Sequence, residues 1–189
     1  MKLNLGCGHH KLEGFVNVDS APHCEPDHLV DLERLPWPFA DDSADEVTLR
    51  HVLEHLGQEP GVYLGIMREL YRVCRDGATI TIVVPHPRHD SFLNDPTHVR
   101  PVTPAGLEMF SKARNREWIA AGLANTPLAL QLDVDFELAK VTMHPDEPWA
   151  GRLREGRISN ADLHQAMRLY NNVIREVEIV LRVRKDDAG

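Results

Sequence analysis

The sequence has few cysteines and no long hydrophobic run. Its three cysteines, Cys7, Cys24 and Cys74, are odd in number and have no CxxC spacing. This pattern indicates reduced thiols in a cytoplasmic protein rather than a disulfide framework. No apolar run approaches the roughly 18 residues that a membrane span needs. The first residues lack the pattern of a signal peptide, so we expect neither secretion nor a membrane anchor.

Positive charge is also scarce, with 21 Lys and Arg against 29 Asp and Glu and a formal net charge of −8. A field of that sign disfavours nucleic acid or an anionic membrane as the partner. The chain has no repeat, no low-complexity tract and no Gly/Ser linker across its 189 residues. We therefore predict a single globular domain over residues 1–189.

Histidine is abundant, with 11 residues, and this raises the question of a metal. Only His51 and His55 have the i, i+4 spacing of a helical pair, and the residues around them do not form H-E-x-x-H. Because geometry rather than count makes a metal site, the sequence by itself predicts none.

The first half alternates short apolar runs with turns, which is typical of an α/β protein. We predict strands at 2–5, 15–18, 29–32, 44–49 and 78–84, with a helix at 60–74 whose apolar residues share one face. The second half predicts helices at 104–112 and 160–172, with strands at 128–142 and 175–183. Its last strands are predicted to be antiparallel.

Two glycines follow the first strand, in the run Leu5-Gly6-Cys7-Gly8. A glycine turn lets backbone approach a ligand without a Cβ in the way. In doubly wound sheets the carboxyl end of the first strand is where nucleotide-like ligands bind. A tight turn without a ligand is the alternative interpretation.

Acids and a histidine follow the next three strands. Asp19 ends the second strand, where a carboxylate can accept both hydroxyls of a ribose. Asp31 and Leu32 come at the third strand, and the acid there can accept from an adenine amino group. His51 opens the run His51-Val52-Leu53-Glu54-His55-Leu56 just after the fourth strand.

The order of these motifs resembles the class I S-adenosylmethionine-dependent methyltransferases, and most closely their small type 11 group. The resemblance covers residues 2–84, is carried also by Glu69-Leu70-Tyr71-Arg72-Val73 with Asp76-Gly77, and is loose beyond Pro85. It implies a doubly wound, Rossmann-like, seven-stranded mixed sheet with an antiparallel C-terminal hairpin. It also implies that residues 1–84 bind S-adenosyl-L-methionine and that residues 85–189 bind the acceptor or form a lid.

Carried over by position, the resemblance assigns the cofactor contacts. Gly6, Cys7 and Gly8 line its methionine side, Asp19 takes the ribose, Asp31 and Leu32 lie at the adenine, and His51 borders the reactive methyl group.

The spacing departs from that pattern, because Gly8 and Asp19 are 11 residues apart, where about 20 are usual. The helix after the first strand must then be shortened to a stub or a loop. The chain also begins at its first predicted strand. We therefore expect an open cofactor cleft, covered by residues 86–112 or by another subunit of a homodimer.

A methyl acceptor with a hydroxyl or amine must lose a proton, and histidine is the natural base near neutral pH. We take His55 and His98 as candidate bases, with Asp95 or Glu54 orienting them and Arg100 as a clamp for an anionic acceptor. Capping, packing or surface roles remain equally open for each of these residues.

Three functions fit these motifs. The first is methyl transfer to a small-molecule or glycan acceptor. The second is an S-adenosylmethionine-binding module without catalysis. The third is an NAD(P)-dependent oxidoreductase, although the glycine turn lacks the third glycine and the helix N-terminus that a pyrophosphate needs.

Overall fold

A computed structural model describes residues 1–185 of the chain, and within them one mixed sheet organises the molecule. Its strands are β1 (Lys2–Leu5), β2 (Val16–Asp19), β3 (His28–Leu29), β4 (Ala44–Arg50), β5 (Cys74–Pro85), β6 (Phe136–Pro145) and β7 (Ile174–Val183). The order across the sheet is β3-β2-β1-β4-β5-β7-β6. β7 runs antiparallel to both of its neighbours, and the strands from β3 to β5 are parallel. The predicted seven-stranded mixed sheet is confirmed.

All seven described α-helices come after β4 in the chain. They are α1 (Pro60–Val73), α2 (Asp90–Leu93), α3 (Pro104–Leu107), α4 (Lys112–Ala120), α5 (Leu128–Leu132), α6 (Trp149–Arg154) and α7 (Asn160–Leu169). Single 3-10 turns occur at Pro22–Cys24, Leu53–His55 and Glu108–Phe110. None of the described helices is long and apolar enough to span a membrane.

Most predicted elements occur where expected, but the strand predicted at 128–142 was wrong in its first third. Residues Leu128–Leu132 form α5 instead, and β6 begins at Phe136. Leucine and alanine are good helix formers, and the Asn115 side chain accepts a bond from the Ala129 N–H at 3.0 Å. Asp133, with φ at 52°, ends the helix.

The two faces of the sheet differ in chemistry because side chains alternate along each strand. Leu3, Val47 and Ile80 lie side by side across β1, β4 and β5, and all are fully buried. The next residue along each strand, Asn4, Thr48 or Thr81, points to the opposite face. One face is therefore apolar and the other polar.

The helix α1 belongs to the apolar side. Pro60 sits at its first turn, a position that needs no N–H donor. Ile66, Met67, Leu70 and Val73 recur at helical spacing and are 0% exposed. They join the strand residues in one hydrophobic core, so apolar burial holds this side together.

The polar face is organised differently, since none of the connections between β1 and β4 contains an α-helix. Buried Asn4 and Asn17 hold the β1–β2 connection instead. Asn17 accepts from the Leu12 N–H at 2.8 Å and donates to the Phe15 carbonyl at 3.2 Å. Asn4 donates to the His10 carbonyl at 3.0 Å and to Asn17 Oδ1 at 2.9 Å. Two amide side chains thus replace the packing of a helix.

Candidate active site

The glycine turn begins where β1 ends. Gly6 has φ at 67°, and a Cβ there would lie 2.4 Å from Val52 Cγ2. Gly8 has φ at 50°, and no atom lies within 4 Å of where its Cβ would be. The first glycine is required by close packing and the left-handed backbone, whereas the second leaves open space for a ligand.

Asp19 closes the turn from the neighbouring strand. Its Oδ2 accepts from the Gly8 N–H at 2.8 Å, and its Oδ1 accepts from the Ala21 N–H at 2.9 Å. A carboxylate offers about four acceptor sites, so each oxygen retains capacity for another donor. Gly8 and Asp19 are 11 residues apart in the chain, and this hydrogen bond brings them into direct contact.

A cleft of about 540 Å³ opens beside this point, on the polar face of the sheet. It is lined by Asn4, Gly6, Cys7, Gly8, His10, Leu12, Thr48, Arg50 and His51. Its size is within the range of small-molecule sites. Burial, followed by the charge of Asp19, raises the pKa of the Cys7 thiol, so Cys7 lines the cleft as a neutral group and not as a nucleophile.

A second hollow of about 520 Å³ lies past Asp19, at the ends of β2 and β3. Asp31 borders it and remains exposed, with Oδ1 accepting from the Glu33 N–H at 3.0 Å. Leu32 is only 6% exposed and packs in the core, while Leu29 is 61% exposed at the hollow. Leu29 is thus the apolar side chain available to a ligand there. The sequence offered no signal for it, because β3 has only two residues and both are exposed.

His51 marks the end of β4 and lies in the cleft. Its φ of 54° is unusual for a residue with a Cβ and is a form of strain that clusters at functional sites. Its Nδ1 lies 3.6 Å from Glu54 Oε1, and its Nε2 lies 3.3 Å from Glu176 Oε2. The Glu54 carboxylate is the main cause that raises the pKa of the His51 imidazole, with burial opposing it and Glu176 adding to it.

His51 also borders an adjacent pocket of about 350 Å³. This pocket, the histidine pocket below, is lined by His51, Glu54, His55, Pro85, Ser91, Asp95, His98, Arg175 and Glu176. The predicted residues His51, His55, Asp95 and His98 are therefore brought together. The cleft and the histidine pocket share His51 and are neighbours.

The candidate bases have defined hydrogen bonds. Thr97 Oγ1 donates to Asp95 Oδ1 at 2.6 Å, so it accepts from His55 Nδ1 at 2.9 Å. Asp95 therefore holds His55 through Thr97 and lies 3.8 Å from His98 Nε2. The two Thr97 bonds, from its hydroxyl and its backbone N–H, keep the pKa of the Asp95 carboxyl below its usual range.

Two residues of the histidine pocket, Arg175 and Glu176, were not predicted from the sequence. They lie near the start of β7, which is antiparallel to β5, so Glu176 pairs with Pro85 at the carboxyl end of β5.

Arg100 was expected to clamp an acceptor, but it donates to the Leu56 carbonyl at 3.1 Å and stacks 3.8 Å over the Tyr63 ring. It lines a different groove.

Comparison with known proteins agrees with this geometry. A family model described as a methyltransferase domain matches residues 16–82. A SAM-dependent methyltransferase from Archaeoglobus fulgidus is similar in structure, with 20% identity and a TM-score of 0.58 over 96% of this chain and 85% of that one. One from Methanosarcina mazei has 14% identity and a TM-score of 0.55 over 98% and 92%. No curated protein matches the sequence.

The matched segment and the fold agree on one class: residues 16–82 match a methyltransferase domain, and the chain has the fold of S-adenosylmethionine-dependent methyltransferases. The resemblance drawn from the motifs is confirmed, and so is S-adenosyl-L-methionine as the cofactor. The residues present fit that group, because Gly8 opens onto a cleft of about 540 Å³ and its N–H is bonded to Asp19, whose carboxylate oxygens keep spare acceptor sites.

Proposed function

We propose that this methyltransferase acts on a small-molecule or glycan acceptor that carries a hydroxyl or amine. The bound cofactor supplies a methyl group on a positively charged sulfur, already activated for attack. The chain's own residues then align the acceptor and keep water out of the site. The reduced state of buried Cys7, Cys24 and Cys74 supports a cytoplasmic location.

For the cofactor, we propose that Gly6, Cys7 and Gly8 line the methionine portion and that Asp19 accepts from the ribose hydroxyls. Asp31 borders the adenine, where Leu29 takes the place expected for the buried Leu32, and His51 lies next to the methyl group. The observation that carries this proposal is the 2.8 Å bond from the Gly8 N–H to Asp19. It joins the glycine turn, which lines the cleft, to the acid that ends the neighbouring strand.

For the acceptor, we propose the histidine pocket. Its polar lining suits a hydroxylated molecule better than an apolar one. His55, held by Asp95 through Thr97, and His98 are the groups that handle the acceptor proton. Residues 1–84 then hold the cofactor and also contribute His55 to the acceptor pocket, whereas residues 85–189 supply most of the rest of that pocket. Ser91, Asp95 and His98, from residues 86–112, form one wall as a partial lid.

Binding of S-adenosylmethionine, measured by isothermal titration, tests the cofactor assignment. We expect Asp19→Ala to weaken binding by about 1–3 kcal/mol, the range for losing a hydrogen bond to a charged group. Glu13→Ala, which removes an exposed acid from the same connection, is the matched control and should leave the dissociation constant unchanged. Equal affinities of Asp19→Ala and the unmodified chain would contradict the ribose assignment.

A methyl-transfer screen over small alcohols, amines and sugars then tests the acceptor. We expect turnover with a polar acceptor and its loss in His55→Ala. Cofactor binding without transfer to any acceptor would favour a binding module that lacks catalysis. Tighter binding of a reduced nicotinamide than of S-adenosylmethionine would instead favour the oxidoreductase.

A further inference from the structure

Three possible metal ligands converge at one end of the histidine pocket. Glu54 and His55 lie in the turn after β4, and His98 reaches them from the segment after α2. Two backbone bonds fix the meeting, from the Val99 and Arg100 N–H groups to the Glu54 carbonyl at 2.9 and 3.3 Å. One carboxylate oxygen and two imidazole nitrogens then lie within 4.8 Å of one another.

Glu54 is the unusual member of this group. Its side chain is 1% exposed, and neither of its carboxylate oxygens has a hydrogen-bond partner. His51 Nδ1 lies 3.6 Å from Glu54 Oε1, which is longer than a hydrogen bond. A buried carboxylate without hydrogen bonds is strongly unfavourable unless a cation compensates it. His51 can supply that charge only from 3.6 Å, so the position favours a closer positive ligand.

The two imidazoles present lone pairs in the right place. His98 Nδ1 lies 2.8 Å from the Phe92 carbonyl, to which it can only donate. His55 Nδ1 donates to Thr97 Oγ1, because the Thr97 hydroxyl proton is used on Asp95. In neutral rings with these tautomers, both Nε2 atoms carry a lone pair that a metal can accept. Asp95 Oδ2 lies 3.8 Å from His98 Nε2, beyond hydrogen-bond distance.

These bonds also supply what ligating histidines usually have. A metal-bound imidazole generally donates its other N–H to a carbonyl or a carboxylate-supported group, which fixes its orientation. Here the Phe92 carbonyl serves His98, and Thr97 with Asp95 serves His55. The Phe92 ring further stacks on His98, with ring centroids 5.2 Å apart.

We propose that Glu54, His55 and His98 bind a divalent transition-metal ion such as Zn²⁺. Two imidazoles and one carboxylate form a ligand set that such ions accept, with an open position left for water or substrate. Tetrahedral coordination at about 2.1 Å needs ligand atoms roughly 3.4 Å apart. Small side-chain rotations into the pocket would close the present spacing.

A second group, His9, His23 and Cys24, also has ligand atoms within the same distance. His9 and His23 are exposed, and this group contains no buried, unpartnered carboxylate. The Glu54 cluster is therefore the better site. A role for the metal in binding the acceptor oxygen rests on the proposed function, whereas metal binding itself does not. With a metal bound, the Nε2 atoms of His55 and His98 would be occupied, so a metal-bound water would take the acceptor proton in their place.

Titration of the chelator-treated full chain with Zn²⁺, followed by calorimetry, tests the site. We expect one equivalent to bind and the thermal unfolding midpoint to rise with it. His55→Ala, His98→Ala and Glu54→Gln should each weaken binding by at least about 10- to 100-fold, the loss that even an outer partner causes. His164→Ala, which removes an exposed histidine, and His23→Ala should bind as the unmodified chain does.

Stability of the metal-free variants separates a ligand from a structural residue. Glu54→Gln removes a buried charge without changing shape, so we expect it to unfold at the same or a higher temperature without metal and to lose the stabilisation by Zn²⁺. Failure of the unmodified chain to bind Zn²⁺, or binding unchanged in all three variants, would overturn the proposal. S-adenosylmethionine affinity, measured without metal, reports separately on the proposed function.

Discussion

The two faces of the sheet are held by different forces. On the apolar face, α1 packs Ile66, Met67 and Leu70 against strand residues that are fully buried. On the polar face, the β1–β2 connection is held by Asn4 and Asn17 through hydrogen bonds to its backbone. Apolar packing tolerates no opening to water, whereas a hydrogen-bonded loop can exchange its partners with water.

The difference separates stability from function in space. The candidate cofactor cleft lies on the polar face, where Asn4 and Thr48 line it. Replacing a helix by a loop leaves room there, and the glycine turn, which Asp19 closes through the Gly8 N–H, continues directly into that loop. We expect substitutions on the apolar face to lower the free energy of unfolding and those on the polar face to weaken ligand binding.

The largest effect should come from Leu70→Ala on the apolar face. Leu70 is 0% exposed, and removing a buried leucine costs about 2–5 kcal/mol through lost transfer energy and the cavity left behind. Urea unfolding should show this loss, while any protein that remains folded keeps its S-adenosylmethionine affinity. A loss below about 1 kcal/mol would mean that α1 is not a principal support of the fold.

Asn17→Ala tests the other face. It removes the acceptor for the Leu12 N–H and the donor to the Phe15 carbonyl, so we expect about 1–3 kcal/mol less stability. Because the same loop carries Gly8, cofactor affinity should fall as well. Asn125→Ala, in an exposed segment, is the control. A loss of stability with unchanged S-adenosylmethionine affinity would contradict the claim that the polar face serves ligand binding.

Glu69→Gln examines a charged exception on α1. Burial opposes ionisation of Glu69, but its hydrogen bonds with Arg72 and the Trp37 N–H lower the pKa of the carboxyl overall. Its contribution, about 1–2 kcal/mol, is therefore present at neutral pH and lost as pH falls through the lowered pKa.

Urea unfolding of both proteins from pH 7 to pH 3 measures this effect. The difference between the unmodified chain and Glu69→Gln should be full at pH 7 and shrink below about pH 4. Glu117→Gln, an exposed partner of Arg114, should differ little at any pH. A gap that widens towards acid pH would reverse the assigned sign.

The smallest effects come from a matched pair on one strand. Ile82→Val on the apolar face should cost about 0.5–1.5 kcal/mol, because Ile82 is 0% exposed. Thr81→Val, on the adjacent and partly exposed position, should stay within about 0.5 kcal/mol. Equal costs in thermal unfolding would show that the two faces do not differ as we describe.

Sequence reasoning found the parts of the site that local pattern encodes. Gly6, Gly8 and Asp19 were predicted from a strand-turn signal, and they meet as expected. Leu32 was assigned to the adenine by position, yet it packs in the core while Leu29 is exposed. The β3 strand is only two residues long, too short for its alternation to be seen without its neighbours.

Local sequence patterns were sufficient to predict most of the strands and the glycine turn, because these depend on neighbours a few positions away. Leu128–Leu132, predicted as strand but helical, is an exception. Only the tertiary structure decided that Glu176 would face His51 and that His98 would reach Glu54 and His55. Those contacts join residues far apart in the chain, and they depend on an antiparallel last strand and a loop that folds back. Packing of the whole sheet, rather than any local pattern, sets their distance.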